Sequence, residues 1–184
     1  MKYLIASDLH GSLRQGEKLL QAYAREGAER LLLLGDLLSG ALNRQEVAGL
    51  AQLLNNMAGQ ILAVCGNGDS PLTQEWLDFP ILDDRRILYE QGRIIFATHG
   101  HLWRESSPPP EVRQGGVLLT GHTHVPRLGL HQDFTYINPG AVFRPRGGSQ
   151  AGYLLYDSGV FTWKTLDGAI FNTYRWEQQR ETEL

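Results

Sequence analysis

A chain of 184 residues, 42% hydrophobic and 20% charged, has the length and apolar content for one soluble domain with a substantial core. Its formal net charge of −3 excludes the basic surface that an extended, sequence-independent grip on nucleic acid needs. The single cysteine, Cys65, excludes an internal disulfide, and no apolar run has membrane-spanning length or the form of a signal peptide, so the expected compartment is the cytoplasm.

The first apolar run, Lys2-Tyr3-Leu4-Ile5-Ala6, reads as a strand and leads into Ser7-Asp8-Leu9-His10-Gly11. Ser12 is placed to cap a helix with Leu13, Leu20, Tyr23 and Ala24 on its apolar face, and Gly27 to end it. Leu31-Leu32-Leu33-Leu34 is apolar throughout, as in a strand covered on both faces, and runs into Gly35-Asp36. Gly40-Ala41-Leu42-Asn43 reads as a loop. Asn43 then caps a helix to about Met57, with Val47, Leu50, Leu53 and Leu54 at helical spacing. The third run, Ile61-Leu62-Ala63-Val64, leads into Cys65-Gly66-Asn67-Gly68-Asp69. This β-α-β-α-β order predicts three parallel strands with right-handed crossovers.

Beyond residue 70 the pattern changes. One short helix is expected around Thr73 to Leu77, then a hairpin of 86–90 and 93–98 about Gln91-Gly92. Its second arm runs into Thr98-His99-Gly100-His101. Residues 101–116 read as a loop with a turn at 110–114. Val117-Leu118-Leu119 then runs into Gly121-His122-Thr123-His124. Strands are expected at 117–120, 127–130, 134–137, 152–156, 160–166 and 169–174, with turns at Asp157-Ser158-Gly159 and Asp167-Gly168. The polar tail, 175–184, is expected to fray. Two mixed sheets are implied, one fed by β-α units and one mostly by hairpins. Packed face to face with helices outside, they give an α/β fold, a layered α-β-β-α sandwich. No repeat or linker divides residues 1–184, so a single domain is expected.

Five apolar runs thus end in Asp, Asn or His beside a glycine. Open α/β sheets bind ligands beyond the carboxyl ends of their strands. Asp8, His10, Asp36, Asn67, His99, His122 and His124 are therefore delivered toward one crevice. On an extended backbone His122 and His124, two residues apart, point to the same side. Two imidazoles aimed at one point suit a transition-metal ion. Alone, that stretch reads more simply as two exposed loop histidines; the four other strand ends turn the reading to a metal site.

The ordered pieces Asp8-Leu9-His10, Gly35-Asp36, Gly66-Asn67-Gly68-Asp69, His99 and Gly121-His122-Thr123-His124 resemble the pattern of the calcineurin-like metallophosphoesterases. Asn138-Pro139-Gly140 and Pro145-Arg146-Gly147-Gly148 resemble that family's small bacterial and archaeal phosphodiesterase branch. The resemblance implies two metal ions, one held by Asp8, His10 and His124 and one by Asn67, His99 and His122, with Asp36 bridging. It implies a phosphodiesterase in which a metal-bound hydroxide attacks a small phosphate ester, with a phosphomonoesterase as one alternative. A protein-binding scaffold is the alternative from another class, because a retromer subunit shares the fold. Mixed oxygen and nitrogen ligands suit Mn²⁺ first, then Ni²⁺, Fe²⁺ or Zn²⁺.

Gly68 departs from the pattern. Many members carry His there, and the small branch tends to carry Cys; glycine can neither protonate a leaving oxygen nor bind phosphate. His101 is a candidate substitute, with a rim histidine as the simpler reading. Asp69 is expected to steady the Asn67 loop. Arg144 and Arg146 could reach a phosphate, though surface arginines are the simpler reading. His131 reads as a solvated strand histidine, and Trp103, Trp163 and Trp176 as packing or interface residues. Exposed aromatic strands near the C-terminus would suit a homodimer.

Overall fold

The computed structural model describes residues 1–40 and 43–176. Ala41 and Leu42 of the expected 40–43 loop, and the tail from 177 onward, lie outside the described residues.

Strand β1 (Tyr3–Ala6) pairs in parallel with β2 (Arg30–Leu33), which pairs in parallel with β3 (Ile61–Ala63). The helices between them are α1 (Leu13–Glu26) and α2 (Arg44–Asn55). Alternation along each strand divides the core in two. Leu4, Ala6, Leu31 and Leu33 face the helices and meet Leu19 and Ala22 of α1 and Leu50, Ala51 and Leu54 of α2. Ile5, Leu32 and Leu34 face the other way, into a second core. Each fully buried leucine contributes roughly 1.5–3 kcal/mol by leaving water. The buried face of α1 centres on Gly16, Leu19 and Ala22, while Ala24, expected on the apolar side, is exposed.

The helix ends follow local chemistry. Gly27 closes α1 at φ 59°, and the Asn43 side chain accepts a hydrogen bond from the Glu46 N–H at 2.9 Å. Ser12 precedes α1 but its hydroxyl makes no capping bond. A one-turn helix, α3 (Pro71–Gln74), starts two residues earlier than expected, because Ser70 and Thr73 form a reciprocal capping box ahead of Pro71.

The second sheet begins with the expected hairpin of β4 (Arg85–Glu90) and β5 (Arg93–Thr98), turning through Gln91 and Gly92 at φ 53° and 76°. It continues with β6 (Gly116–Leu119), β7 (Pro126–Leu130) and β8 (Phe134–Pro139), in the order β4-β5-β6-β8-β7. Its centre is parallel, β5 with β6 and β6 with β8, so hairpins supply only its two edges.

The last three strands, β9 (Gly152–Asp157), β10 (Val160–Thr165) and β11 (Ile170–Arg175), do not extend that sheet. They return to the first one, where β9 lies antiparallel to β1 and the order is β11-β10-β9-β1-β2-β3. Between the sheets, Ile5, Leu32, Leu154 and Trp163 pack on Ile95, Ala97, Val117 and Leu119. Among the described residues, the long helices α1 and α2 flank the first sheet. The outer face of the second sheet is covered by a 3-10 turn at Pro110–Val112 and by Trp103, which pack on Phe96, Leu118 and Phe134. Of the tail expected to fray, Arg175 closes β11 and Trp176 is buried under the Arg93 guanidinium, 3.9 Å from its ring. No helix among the described residues is long and apolar enough to cross a membrane.

Candidate metal centre

All seven residues that the sequence points to meet beyond the carboxyl ends of β1, β2, β3, β5 and β6. The backbone there is strained. Asp8, His10, Asp36, His122 and His124 have φ of 59°, 47°, 53°, 66° and 62°, a region that non-glycine residues rarely adopt. Each such residue costs on the order of 1–3 kcal/mol, and the surroundings must hold it. Asp8 N–H donates to Gly35 O at 3.2 Å, His10 N–H to Asp36 O at 2.9 Å and Gly121 N–H to His99 O at 2.8 Å. His122 N–H donates to Asp8 Oδ2 at 3.0 Å. Two glycines let these loops approach. A Cβ at Gly66 would overlap Asp36, and one at Gly121 would overlap the Ser7 hydroxyl.

The left-handed turns change what the sequence suggested for His122 and His124. They do not aim at one point from an extended strand. His124 stacks with His10, ring centroids 5.1 Å apart, and His122 meets His99 edge to face at 5.0 Å.

Backbone carbonyls set the imidazole tautomers. His10 Nδ1–H donates to Ser39 O at 3.0 Å, His124 Nδ1–H to Arg144 O at 2.8 Å and His99 Nδ1–H to Leu34 O at 2.6 Å. Each Nε2 is then a lone pair turned into the site. His10 Nε2 and His124 Nε2 stand 3.2 Å apart, and Asp8 Oδ1 lies 3.3 Å from the latter. His99 Nε2 lies 3.1 Å from Asn67 Oδ1, 3.2 Å from His122 Nδ1 and 3.7 Å from Asp36 Oδ2. Asp8 Oδ1 is buried with no hydrogen-bond donor. Acceptors gathered around an orphaned carboxylate oxygen repel one another unless a cation lies among them. The donor set therefore fits metal ions, with groups formed by Asp8, His10 and His124 and by Asp8, Asp36 and His99.

The electrostatics agree. Burial drives the Asp8 carboxyl up, but the nearby His124 and Ser7 side chains outweigh it and hold the group below the ordinary carboxylate range. The neighbouring Asp8 carboxylate raises His124 above the ordinary imidazole value. Burial, and next the neighbouring His99, push His122 down.

Of the remaining candidates, Asp69 has a larger role than steadying the Asn67 loop. Its carboxylate accepts the N–H groups of Asp36 at 2.8 Å, Leu37 at 3.0 Å and Gly66 at 2.9 Å, joining the loops after β2 and β3. His101 lies beside the site, its ring 5.5 Å from His99, with Nδ1 buried and unpartnered. Arg144 and Arg146 are exposed, and Arg144 acts through its carbonyl. The sequence did not point to Ser39, Leu34 and Arg144 as histidine acceptors, since a carbonyl leaves no mark in side-chain identity. Asn138 was noted only as a marker of resemblance. It donates to Gly121 O at 2.7 Å and Thr123 Oγ1 at 3.1 Å, and so holds the His122 loop.

The pattern of the calcineurin-like phosphoesterase superfamily domain matches residues 1–159. The chain is 39% identical over 168 residues to phosphodiesterase YfcE of Escherichia coli, covering 88% of this chain and 90% of that protein. It is 28% identical over 148 residues to phosphodiesterase MJ0936 of Methanocaldococcus jannaschii, 76% of this chain and 83% of that one. The solved structure of the E. coli phosphoesterase YfcE superposes with a TM-score of 0.89 at 34% identity, covering 96% of this chain and all of that one. Vps29 of Cryptosporidium parvum, at 17% identity and a TM-score of 0.57, shares the fold alone. The chain belongs to the calcineurin-like phosphoesterase superfamily, as a homologue of the phosphodiesterase YfcE.

Proposed function

We propose that this chain hydrolyses phosphodiesters with the help of two divalent transition-metal ions. Asp8, His10 and His124 would hold one ion and Asn67, His99 and His122 the other, with Asp36 between them. The observation that carries this reading is the facing pair of Nε2 atoms of His10 and His124, 3.2 Å apart beside a buried Asp8 oxygen that no donor satisfies. When bound, such ions supply Lewis acidity and lower the pKa of a water, so no serine or cysteine nucleophile is needed. The chain's own part is to orient: three carbonyls fix the imidazole tautomers, and Asp69 fixes the backbone that carries Asp36. Cys65 has a structural place, its Sγ 3.4 Å from Gly66 O and its thiol pushed up by burial first and by Asp69 next.

The mixed donors favour Mn²⁺, with Ni²⁺, Fe²⁺ and Zn²⁺ as alternatives. Likeness to proteins named phosphodiesterase favours a small diester over a monoester. We read residues 1–184 as a single cytoplasmic domain. The exposed Ile170 and Phe171 on edge strand β11 would suit a homodimer.

The test combines metal content with turnover. Manganese-loaded protein should carry about two ions per chain by mass spectrometry. It should hydrolyse bis(p-nitrophenyl) phosphate faster than p-nitrophenyl phosphate. A preference for the monoester would make it a phosphomonoesterase. A protein that takes up no metal would falsify the enzymatic reading and leave a partner-binding scaffold.

A further inference from the structure

A cleft of about 630 Å³, lined in part by His122, lies beside the candidate metal centre. That volume suits a small organic group. Its floor is Thr120 and Tyr136, whose hydroxyls lie 2.8 Å apart and satisfy each other. Its walls carry Arg104, Glu105, Arg127 and His131. Glu105 is fully engaged. It takes Arg127 through two contacts, at 2.6 and 3.1 Å, and His131 Nε2 at 3.1 Å. His131 is in turn stacked on Phe134 at 4.3 Å; it is exposed, as the sequence suggested, but lies in the turn between β7 and β8 rather than on a strand. Arg104 has no such partner. The only hydrogen bond of its guanidinium among the described residues is a long one, 3.5 Å, to the carbonyl of His101. The cleft therefore has a neutral floor, a neutralised Arg127 and one uncompensated guanidinium, and it opens at a residue of the candidate metal centre.

We propose that this cleft seats one ester arm of the substrate, and that this arm ends in an anionic group, a carboxylate or a second phosphate, recognised by Arg104. The inference rests on the phosphodiesterase reading for where the scissile phosphate sits. A guanidinium pairs with either anion through two parallel N–H donors, and a neutral arm would leave its charge unmatched.

Three p-nitrophenyl phosphodiesters that differ only in the second arm test this: one with a terminal carboxylate, one with a terminal phosphonate and one with a carboxamide. Manganese-loaded wild type should prefer an anionic arm by about tenfold in kcat/KM, as a charge-assisted hydrogen bond implies. Whichever of the two anions is preferred identifies the terminal group. The preference should shrink with added salt. Arg104→Gln, at an exposed position, should bring the three esters within about twofold of one another. Equal rates in wild type, or an undiminished preference in Arg104→Gln, would overturn the subsite. If none of the esters is hydrolysed, the phosphodiesterase reading fails instead. The subsite is then judged by calorimetric binding of the matching non-hydrolysable phosphonates: selective binding upholds it, and equal binding overturns it.

Discussion

Asp36 faces both histidine pairs, its Oδ2 3.8 Å from His10 Nε2 and 3.7 Å from His99 Nε2. Its other oxygen accepts the Gly68 N–H at 2.7 Å. Asp36→Asn keeps an acceptor for that bond and removes only the charge. Metal content should then fall below one ion per chain and activity by about 100-fold or more, since even outer partners of metal sites cost 10–100-fold. His101→Ala should leave metal content unchanged, because His101 is not among the proposed ligands; equal metal loss in both variants would contradict the ligand assignment. The structure also revises the simplest repair of Gly68. A Cβ there would overlap the Ser39 hydroxyl and lie 2.7 Å from Ser39 Cβ. Ser39 fills the space that a side chain at 68 would need, and its carbonyl orients His10. Gly68→His alone should therefore lower the melting temperature and metal affinity, and adding Ser39→Gly should recover both. With no acid at position 68, log kcat/KM should fall steeply as leaving-group pKa rises, because a proton donor is worth roughly 10²–10⁴. The double variant should flatten that slope.

At the scale of elements, α1 is tied to the first sheet by a polar cluster. Glu26 at the end of α1 accepts from Tyr153 of β9 and Lys164 of β10, both at 2.6 Å. Burial drives the Glu26 carboxyl up, but these two bonds outweigh it and hold the group below its ordinary value. A depressed carboxylate adds stability above its unfolded pKa, about 4.3, which is lost as pH falls through the lower folded value. Glu26→Gln should flatten the acid limb of a plot of urea midpoint against pH. The Tyr153 hydroxyl is pushed up to about 12 from 10.0, first by burial and next by Glu26. Its contribution has the opposite sign: it is full below pH 10 and lost as pH rises through 12. Tyr153→Phe should make the alkaline limb shallower. An alkaline limb unchanged by Tyr153→Phe would remove Tyr153 from the account.

Across the whole molecule, the two sheets meet at Trp163. Its indole N–H, on β10 of the first sheet, donates at 2.8 Å to the carbonyl of Asn138, on β8 of the second. The Asn138 side chain then holds the loop that carries His122. Trp163→Phe leaves a buried carbonyl unpaired and should cost about 1–3 kcal/mol of stability. It should also weaken metal binding by about tenfold, as loss of an outer partner does. Trp176→Phe is the matching control. Its indole N–H donates to Gly115 O at 3.2 Å, and neither group is among the residues gathered at the metal centre. It should lower stability similarly and leave metal affinity alone. Equal effects of the two variants on metal affinity would mean that general loosening, not the Asn138 link, is responsible.

The sequence by itself determined whatever depends on neighbours along the chain. Apolar runs placed the strands, Gly27 and Asn43 the helix ends, and Gln91-Gly92 a hairpin, because periodicity and turn chemistry are local. It also placed seven ligand-type residues at five strand ends, since strand direction carries each end to the same side of a sheet. Tertiary structure alone decided the rest. Whether β9 to β11 extend the second sheet or return to β1 depends on which edge their apolar faces can cover, and both sheets offer one. The tautomers of His10, His99 and His124 depend on carbonyls that any residue type could supply. The role of Gly68 depends on Ser39, and the charge of the cleft on the pairing of Glu105 with Arg127 and His131. Those partners lie 20 or more positions apart, where no local pattern of residues connects them.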